Sequence, residues 1–230
     1  GEYYFEFDLH ELPRRGDEKI FRGRLWGSRN EQGMILRIVL ADADGHEQRL
    51  LVQNGEHAAV WRATGGKVTQ LPGEAACEPR VLGGERSAFD LQMPFLYWPE
   101  AKVESIKRVY GRPAHEFVFH PPAAFAAKHP ELAIVRSYFD TQANSPMQTE
   151  VIGPGGRIAR TWSLVELKTI DKQTIPKSFE VRDEVTRNKT RLVVTAAALN
   201  LQLPATIFAP AALTEDVRPP PAERIVRIAP

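Results

Sequence analysis

Residues 87–99, SAFDLQMPFLYWP, form the densest apolar stretch of the chain. Ser87 followed by Asp90 makes a weak capping box, which favours the start of a helix. Pro94 lacks an amide hydrogen and clashes with the preceding turn, so we expect a helix that is broken at this residue and ended by Pro99. Apolar side chains cover almost every face of this broken helix, and a sheet or a ligand must therefore cover it. It is either a plug of the core or the lid of an apolar cavity.

Outside this stretch, apolar and polar residues alternate in short runs, which is the period of half-buried β-strands. In the first run, Phe5, Phe7 and Leu9 share one face. The dipeptides Asn54-Gly55 and Gly65-Gly66, which separate later runs, are typical of hairpin turns. The predicted strands lie within residues 5–9, 19–29, 34–40, 48–53, 58–63, 67–71, 103–110, 114–120, 132–140, 147–152, 157–170, 175–185 and 189–198.

The connections between these runs predict the fold class. No β-α-β spacing occurs, so the strands are expected to pair antiparallel. We expect a mainly β protein with a single large curved antiparallel sheet, an open half-barrel whose concave face is covered by the short broken helix. One domain over residues 1–213 buries more apolar surface than two small sheets with bare edges. Residues 214–230 are predicted to form a Pro-rich tail, in which residues 225–228 could add an edge strand. Residues 72–86 are predicted to be a Gly-rich loop, and residues 121–130 a loop or one helical turn.

Composition excludes several classes of protein. The net charge of the 230 residues is +1, which gives no sign of a nucleic-acid or anionic-membrane partner. The single cysteine, Cys77, excludes an internal disulfide and a multi-cysteine metal site. No apolar run approaches the roughly 18 residues of a membrane span. The first residues alternate like a strand and are not a signal peptide, while Gly1 without a methionine is what a processed or trimmed chain would show.

Catalytic motifs are not found. The sequence GPGGRI at residues 153–158 has Ile158 where a dinucleotide loop needs its third glycine, and it joins two predicted strands, so we interpret it as a hairpin. The six histidines never take a metal-ligand spacing. Carboxylates such as Glu6 and Asp8 share a solvent face of a strand. We therefore expect a container with no catalytic residue, metal site or cofactor.

Three ordered stretches resemble the periplasmic lipoprotein carriers of the LolA/LolB-like superfamily. Residues 23–29, GRLWGSR, resemble the family's Gly-x-Leu-Trp-x-x-Arg strand. Residues 51–61 resemble its hairpin with a Gly and a Trp, and residues 206–210, TIFAP, resemble its closing Phe-x-Pro strand. The order agrees over residues 20–213. The middle of the chain, with MPFLYWP at residues 93–99, is closer to the branch called outer-membrane lipoprotein-sorting proteins.

The resemblance implies a function. It implies a periplasmic carrier that binds lipid or the acyl chains of lipoproteins in an apolar cavity, without covalent chemistry and not as an enzyme. It also implies an inner-membrane exporter or an outer-membrane acceptor as possible partners, and a signal peptide that has been removed or trimmed. Two alternatives stay open: a sensor of envelope stress that recognises lipoproteins or lipids, and an enzyme that uses the same cavity.

The resemblance also proposes site residues. The expected ligand-binding residues are Trp26 and Trp61 on strands beside the cavity, Phe95, Leu96 and Trp98 on the covering helix, and Phe117 and Phe119 on a central strand. Each of them could instead belong to the core, because aromatic residues at strand spacing usually pack. In the family an arginine latches the lid, and the matching position is Arg29, whose five donors could hold several carbonyls. Arg29 could also be a surface residue, and Arg37 is a competitor. The cavity exists only if the helix leaves part of the concave face unfilled.

Overall fold

A computed structural model describes residues 1–55, 57–71 and 87–229 of the chain. In these residues, fourteen antiparallel strands form one sheet, which confirms the predicted mainly β class. The strands are β1 (Glu2–Leu12), β2 (Lys19–Asn30), β3 (Gly33–Ala41), β4 (Glu47–Gln53), β5 (Ala59–Thr64), β6 (Lys67–Gln70), β7 (Glu100–Val109), β8 (Arg112–His120), β9 (Ile134–Asp140), β10 (Pro146–Ile152), β11 (Ile158–Ile170), β12 (Gln173–Asp183), β13 (Lys189–Leu201) and β14 (Val226–Arg227). The Gly-rich loop predicted for residues 72–86, which includes Cys77, lies outside the described residues.

The order of the strands explains why a segment must cross the sheet. The path runs β6-β5-β4-β3-β2-β1-β13-β12-β11-β10-β9-β8-β7, so β6 and β7 are its two edges although they follow each other in sequence. The chain between them passes from one edge to the other, and its described part contains the broken helix. The sheet is curved and not closed, which confirms the predicted open half-barrel.

The broken helix has the form that the sequence predicts. Helix α1 (Ala88–Gln92) is followed by the 3₁₀ turn Pro94–Tyr97. Between them, Met93 takes the left-handed conformation, with φ 45° and ψ 55°. At the start of α1, the Asp90 carboxylate accepts hydrogen bonds from the Ser87 backbone N–H (2.8 Å) and from the Ser87 hydroxyl (3.0 Å). The capping box and the break before Pro94 are therefore confirmed.

The other helical segments are short. Where a loop or one helical turn was predicted for residues 121–130, the structure forms the six-residue helix α2 (Ala123–Lys128). The further 3₁₀ turns are Pro154–Gly156, Ala205–Phe208, Pro210–Thr214 and Ala222–Arg224. In the described part of the chain, no helix has the length and apolar character needed to cross a membrane.

Alternation along the strands gives the sheet two apolar faces. The inner face, which faces α1, carries a large core cluster with Phe7, Leu36 and Leu50. The outer face carries a second cluster, in which Tyr4 and Trp26 are buried with rings 5.2 Å apart. A sheet with two apolar faces needs a cover on each of them.

The cover of the outer face is the C-terminal segment, residues 203–229. Its Phe208 and Leu213 are buried in the outer cluster. At its end, β14 pairs with β13 where Arg227 lies opposite Ala196, beyond the last β13 residue that pairs with β12. The two residues of β14 lie within residues 225–228, where an edge strand was predicted, and the segment before them packs against the sheet.

Two glycines of β2 let aromatic rings lie directly on the strand. A Cβ at Gly23 would lie 2.1 Å from Cζ of Phe7, and a Cβ at Gly27 would lie 2.2 Å from Cζ of Tyr3. Any larger residue would displace these rings. The glycines of the GRLWGSR stretch thus place the rings of Tyr3 and Phe7 over the inner face of β2.

Candidate functional site: an apolar cavity between the sheet and α1

A cavity of about 730 Å³ lies between the inner face of the sheet and residues 87–99, which are called the α1 segment below. Two sets of strands bound it, β1 to β3 on one side of the central β1–β13 pair and β11 to β13 on the other. The apolar side chains that line it from the sheet are Tyr3, Phe5, Phe7, Leu25, Met34, Leu36, Ile38, Trp162, Leu164, Leu167, Ile175, Pro176, Phe179, Leu192, Val194 and Leu199. Such a surface excludes water and offers contacts to hydrocarbon.

The α1 segment forms the opposite wall. Leu91, Met93 and Leu96 line the cavity from this side. Leu96 is 42 % exposed, and Leu167, which lines the cavity from β11, is 37 % exposed. Two leucines that touch both the cavity and solvent mark its rim.

Two buried polar contacts fix α1 across the hollow. Asp90 forms an ion pair of 2.8 Å with Arg160 of β11. The Gln92 side-chain amide donates a hydrogen bond of 3.1 Å to the carbonyl oxygen of Gln53 at the end of β4. Because β4 and β11 lie on opposite sides of the sheet's centre, these contacts hold α1 as a bridge. The charge-assisted bond between Arg160 and Asp90 also fixes the orientation of the helix.

The helix fills one part of the concave face and leaves another part empty. Phe89 and Phe95 turn toward Phe119 of β8, and only about 10 Å³ remains beneath them at β10 and β11. Helix α1 has only five residues and does not reach across the rest of the hollow. Both interpretations of the 87–99 stretch therefore hold in part, since it is a plug over β8 to β10 and a lid over β1 to β3.

Glu2, Gln173 and Asn200, which are polar residues of the cavity lining, have partners within the protein. The Glu2 carboxylate accepts hydrogen bonds from Ser28 Oγ (2.8 Å) and from the backbone N–H of Leu203. Gln173 donates a hydrogen bond of 3.0 Å to Asn200 Oδ1 at the same end. Burial raises the pKa of Tyr3 to about 12, so its phenol stays neutral. These groups suit the placement of a ligand and give no nucleophile with an adjacent base.

Among the described residues, one group of possible metal ligands lies outside the lining of this cavity. Asp42, Asp44 and His46 approach one another on the turn between β3 and β4. The Asp42 carboxylate accepts hydrogen bonds from the backbone N–H groups of Asp44 (2.9 Å) and His46 (2.8 Å), and the bond from His46 is the largest cause that lowers its pKa. These hydrogen bonds close the turn and account for the proximity of the three side chains.

Comparisons with known proteins bear on the fold. A family model described as an uncharacterized protein matches residues 123–215, and no curated protein matches the chain in sequence. A putative outer membrane lipoprotein-sorting protein domain from Vibrio parahaemolyticus is similar in structure, with a TM-score of 0.78 and 14 % identity over 94 % of this chain and 92 % of that chain. A DUF1329 family protein from Desulfovibrio piger has a TM-score of 0.76 and 12 % identity over 92 % and 91 %. A LolA superfamily protein from Nitrosomonas europaea has a TM-score of 0.66 and 13 % identity over 90 % of each chain.

The chain has a LolA-like fold. Sequence identities as low as these show a similarity of fold and do not show a shared function. Within it, the structure separates the residues that the sequence proposed for the cavity. Leu96 lines the cavity. Phe95, Trp98, Phe117 and Phe119 lie in the cluster between α1 and β8, beside the cavity and outside its lining.

Two of the proposed ligand-binding residues lie on the wrong face. Trp26 and Trp61 belong to the outer cluster beneath the C-terminal segment, and Trp26 is only 1 % exposed. The reason is the two-residue period of a strand, because Leu25, next to Trp26, is the residue that points into the cavity. Placing these tryptophans in the cavity of the LolA-like fold was therefore wrong.

The latch arginine also differs from the expectation. Arg29 is exposed at the end of β2, and no hydrogen bond joins it to the described residues of the α1 segment. Arg37, the competitor, is fully buried on the outer face and donates to four carbonyl oxygens, those of Ile207 (2.8 Å), Ala212 (3.0 Å), Leu213 (3.3 Å) and Glu215 (2.5 Å). Burial first, and then the charge of Arg49, lowers the pKa of Arg37, while Glu215 and Asp216 oppose the shift. Arg37 latches the C-terminal segment and not the lid.

The sequence analysis missed most of the lining. Leu164, Leu167 and Phe179 come from β11 and β12, where long strands with register shifts blur the alternation. Phe5 and Phe7 were recognised as one face of a strand, and the signal that could have placed them at the cavity is their pairing with glycines of β2. Tyr3↔Gly27 and Phe7↔Gly23 are register pairs. An aromatic residue opposite a glycine indicates a ring that lies over the sheet.

Proposed function

We propose that this protein binds the apolar chain of a lipid, or of a lipid-modified protein, non-covalently in the cavity beneath α1, and that it acts as a periplasmic carrier and not as an enzyme. The observation that carries the proposal is the cavity itself, which has about 730 Å³ of space and a lining that is almost entirely apolar. This volume lies within the range of small-molecule sites, roughly 300–1,000 Å³.

Energetics favour such an occupant. Burial of each methylene contributes about 0.8 kcal/mol, so a chain that fills the cavity gains enough free energy to compete with a membrane. A single acyl chain anchors a protein in a bilayer only reversibly, so extraction of that chain from the membrane is feasible. The exposed rim leucines, Leu96 and Leu167, give the chain an apolar path between solvent and cavity.

The likeness to a lipoprotein-sorting domain and to a LolA superfamily protein supports the same function. By that likeness, the donor and acceptor of the chain would be an inner-membrane exporter and an outer-membrane acceptor. Among the described polar residues of the cavity lining, none is a nucleophile beside a base, which supports binding without covalent chemistry.

A binding experiment tests the proposal. The delipidated protein is titrated with a fluorescent fatty-acyl probe, and organic extracts of the protein as purified are analysed by mass spectrometry. We expect saturable binding in a one-to-one ratio. Leu91→Asp and Leu164→Asp place a charge in the cavity and should weaken binding at least ten-fold, since an unpaired carboxylate in an apolar site is costly.

The matched control is Val103→Asp. Val103 lies on the edge strand β7, is 61 % exposed and is outside the cavity lining, so its change should leave affinity within two-fold. Thermal unfolding verifies that each variant is folded. A folded wild type that binds no acyl probe, or equal affinity of Leu91→Asp and Val103→Asp, would refute acyl binding in this cavity.

A further inference from the structure

Polar side chains lie together at one end of the cavity beneath α1. They are Glu2, Ser145, Gln173, Thr174 and Asn200. At this end β1 begins and β13 ends, since Glu2 pairs with Leu201, and the β9–β10 and β11–β12 turns fall at the same end of the antiparallel sheet. The hydrogen bond from Gln173 to Asn200 Oδ1 joins two of these side chains. This group of five residues is called the polar end of the cavity below.

The opposite end of the cavity is apolar. Its lining there includes Trp162, on the part of β11 that is remote from the β11–β12 turn, and Leu192, near the start of β13. Trp162 and Met93 also line the space of about 10 Å³ that remains beneath the plug formed by Phe89 and Phe95. A chain that fills the cavity therefore has its methyl end near Trp162 and its first polar group at the polar end, because a buried polar group needs hydrogen-bond partners.

The lining carries negative charge and no positively charged side chain. Among the described residues, the charged side chains that line the cavity are Glu2 and Asp90, and no lysine, arginine or histidine side chain lines it. Asp90 is neutralised by its ion pair of 2.8 Å with Arg160. The groups that donate to the Glu2 carboxylate, the Ser28 hydroxyl and the backbone N–H of Leu203, are both uncharged. The polar end therefore has a carboxylate charge that no ion pair in the described part of the chain offsets.

Arg29 lies at the same end of the sheet but outside the lining. It pairs in register with Met34, which lines the cavity, and it is exposed. Water and salt screen the charge of an exposed guanidinium, so its attraction for a carboxylate is weak. Arg29 is therefore a poor counter-ion for an anion at the polar end.

We propose that the cavity selects chains whose first polar group is uncharged, such as an ester or an amide, and discriminates against free fatty acids. This inference rests on the acyl-chain binding proposed above. An ester carbonyl accepts hydrogen bonds from the side chains of Gln173, Thr174 and Ser145 and needs no cation. A free carboxylate at the same place meets the charge of Glu2 and lacks a counter-ion, which is costly in an apolar site.

Two compounds with the same chain test the proposal by displacing a fluorescent acyl probe. Laurate and 1-monolauroylglycerol are compared at about pH 8, where laurate is ionised, below the concentrations at which they aggregate. We expect monolauroylglycerol to bind at least about ten-fold more tightly. A neutral group also leaves water more easily than an anion does, so variants of the polar end decide whether the lining causes the preference.

Thr174→Lys places an ammonium group at the exposed polar end and should lower the ratio of the two affinities at least about five-fold, since laurate gains a counter-ion. Glu2→Gln removes the carboxylate charge, keeps an acceptor oxygen and should lower the ratio about three-fold. Val103→Lys adds the same charge as Thr174→Lys on edge strand β7, outside the lining, and is the matched control. It should leave the ratio within about two-fold, and so should Arg29→Gln. Thermal unfolding verifies that each variant is folded, and either folded variant of the polar end is sufficient.

The outcomes separate this inference from the function on which it rests. Head-group selection is overturned if laurate binds as tightly as monolauroylglycerol, or if the variants of the polar end change the ratio no more than Val103→Lys does. It is also overturned if Arg29→Gln weakens laurate binding selectively, because Arg29 would then be the counter-ion. These three results leave acyl binding intact. A protein that binds neither compound would refute acyl binding itself and this inference with it.

Discussion

Arg37 shows how one side chain can hold a whole segment to a sheet. Its guanidinium binds carbonyl oxygens from the first two 3₁₀ turns of the C-terminal segment and from Glu215, which follows them. A lysine would offer a single charged point, whereas the planar fork of arginine reaches several acceptors at once. Arg49 continues the contact with a bond of 2.7 Å to the carbonyl oxygen of Thr214.

Arg37→Met tests this role. The variant leaves buried carbonyl oxygens of the C-terminal segment without a donor, and each such group costs about 1–3 kcal/mol. We expect a loss of at least about 3 kcal/mol in the free energy of unfolding by urea. Arg29→Met, at the exposed end of β2, is the matched control and should change it by less than about 0.5 kcal/mol. Equal effects of the two changes would contradict the latch.

The contribution of the turn at Asp140 to the stability of the fold depends on pH. The backbone N–H groups of Ala143 (2.8 Å) and Gln142 (2.9 Å), together with Arg112 (2.8 Å), hold the pKa of this carboxylate below its usual value. A depressed pKa stabilises the fold above the unfolded-state pKa, and this stabilisation is lost as the pH falls through the folded-state pKa.

Asp140→Asn should therefore lower the free energy of unfolding most at pH 7. The difference in this free energy between the variant and wild type should become smaller below about pH 4. Urea unfolding at a series of pH values measures this. Gln142→Ala, which keeps the backbone N–H bond, should follow the wild-type curve. A constant difference between Asp140→Asn and wild type from pH 7 to pH 3 would exclude the carboxylate charge as the cause.

Residue roles were harder to predict than residue placement. The alternation of β3 correctly set Arg37 on the face opposite Leu36 and Ile38. The resemblance favoured Arg29, but the choice between the two arginines depends on which face the C-terminal segment covers. That contact joins residues about 170 positions apart, and no local pattern encodes it.

Helix α1 owes its position to the topology of the sheet. Consecutive strands β6 and β7 lie at opposite edges, and the described part of the connection between them, residues 87–99, packs on the inner face. The helix is too short to be stable alone, and its packing and two polar contacts hold it in place. Loosening these contacts should open the cavity.

Asp90→Ala combined with Gln92→Ala removes both polar contacts. We expect the dissociation rate of a bound acyl probe to rise at least five-fold in stopped-flow competition, since each contact restrains the wall of the cavity. Hydrogen exchange in α1 should accelerate in parallel. Arg187→Ala, which removes an exposed ion pair with Glu184, is the control and should leave both rates unchanged. Unchanged release with faster exchange would mean that the chain leaves by another route.

Local sequence signals predicted the strands and turns, but they did not predict which face of the sheet borders the cavity. The GPGG hairpin joins β10 and β11 as expected, because glycine and proline encode a turn within a few residues. The two-residue period of a strand places Trp26 and Leu25 on opposite faces of the sheet, but it does not show which of these faces borders the cavity. The answer lies in Phe208 and Leu213, which cover the outer face from the far end of the chain.

At the scale of the whole molecule, the two faces of the sheet are used differently. The outer cluster is closed by a segment that arginines hold down, while the inner face is bridged and left partly empty. An open sheet also keeps two edges, and unpaired edges tend to recruit another chain. Edge strand β7 carries Val103 and Ile106 at 61 % and 63 % exposure, interleaved with lysines.

Lys102 and Lys107 are expected to protect this edge. Charged residues on an edge strand, together with the β-bulge between Val103 and Ser105, oppose pairing with a second copy. Replacing both lysines by valine should make this edge more apolar, and we expect dimers or larger species in light scattering after size-exclusion chromatography at concentrations where wild type is monomeric. Arg14→Val with Arg15→Val, in the exposed β1–β2 connection, removes the same charge and should not associate. Association of both variants would assign the effect to net charge, whereas a monomeric Lys102→Val, Lys107→Val variant would show that the bulge alone protects the edge.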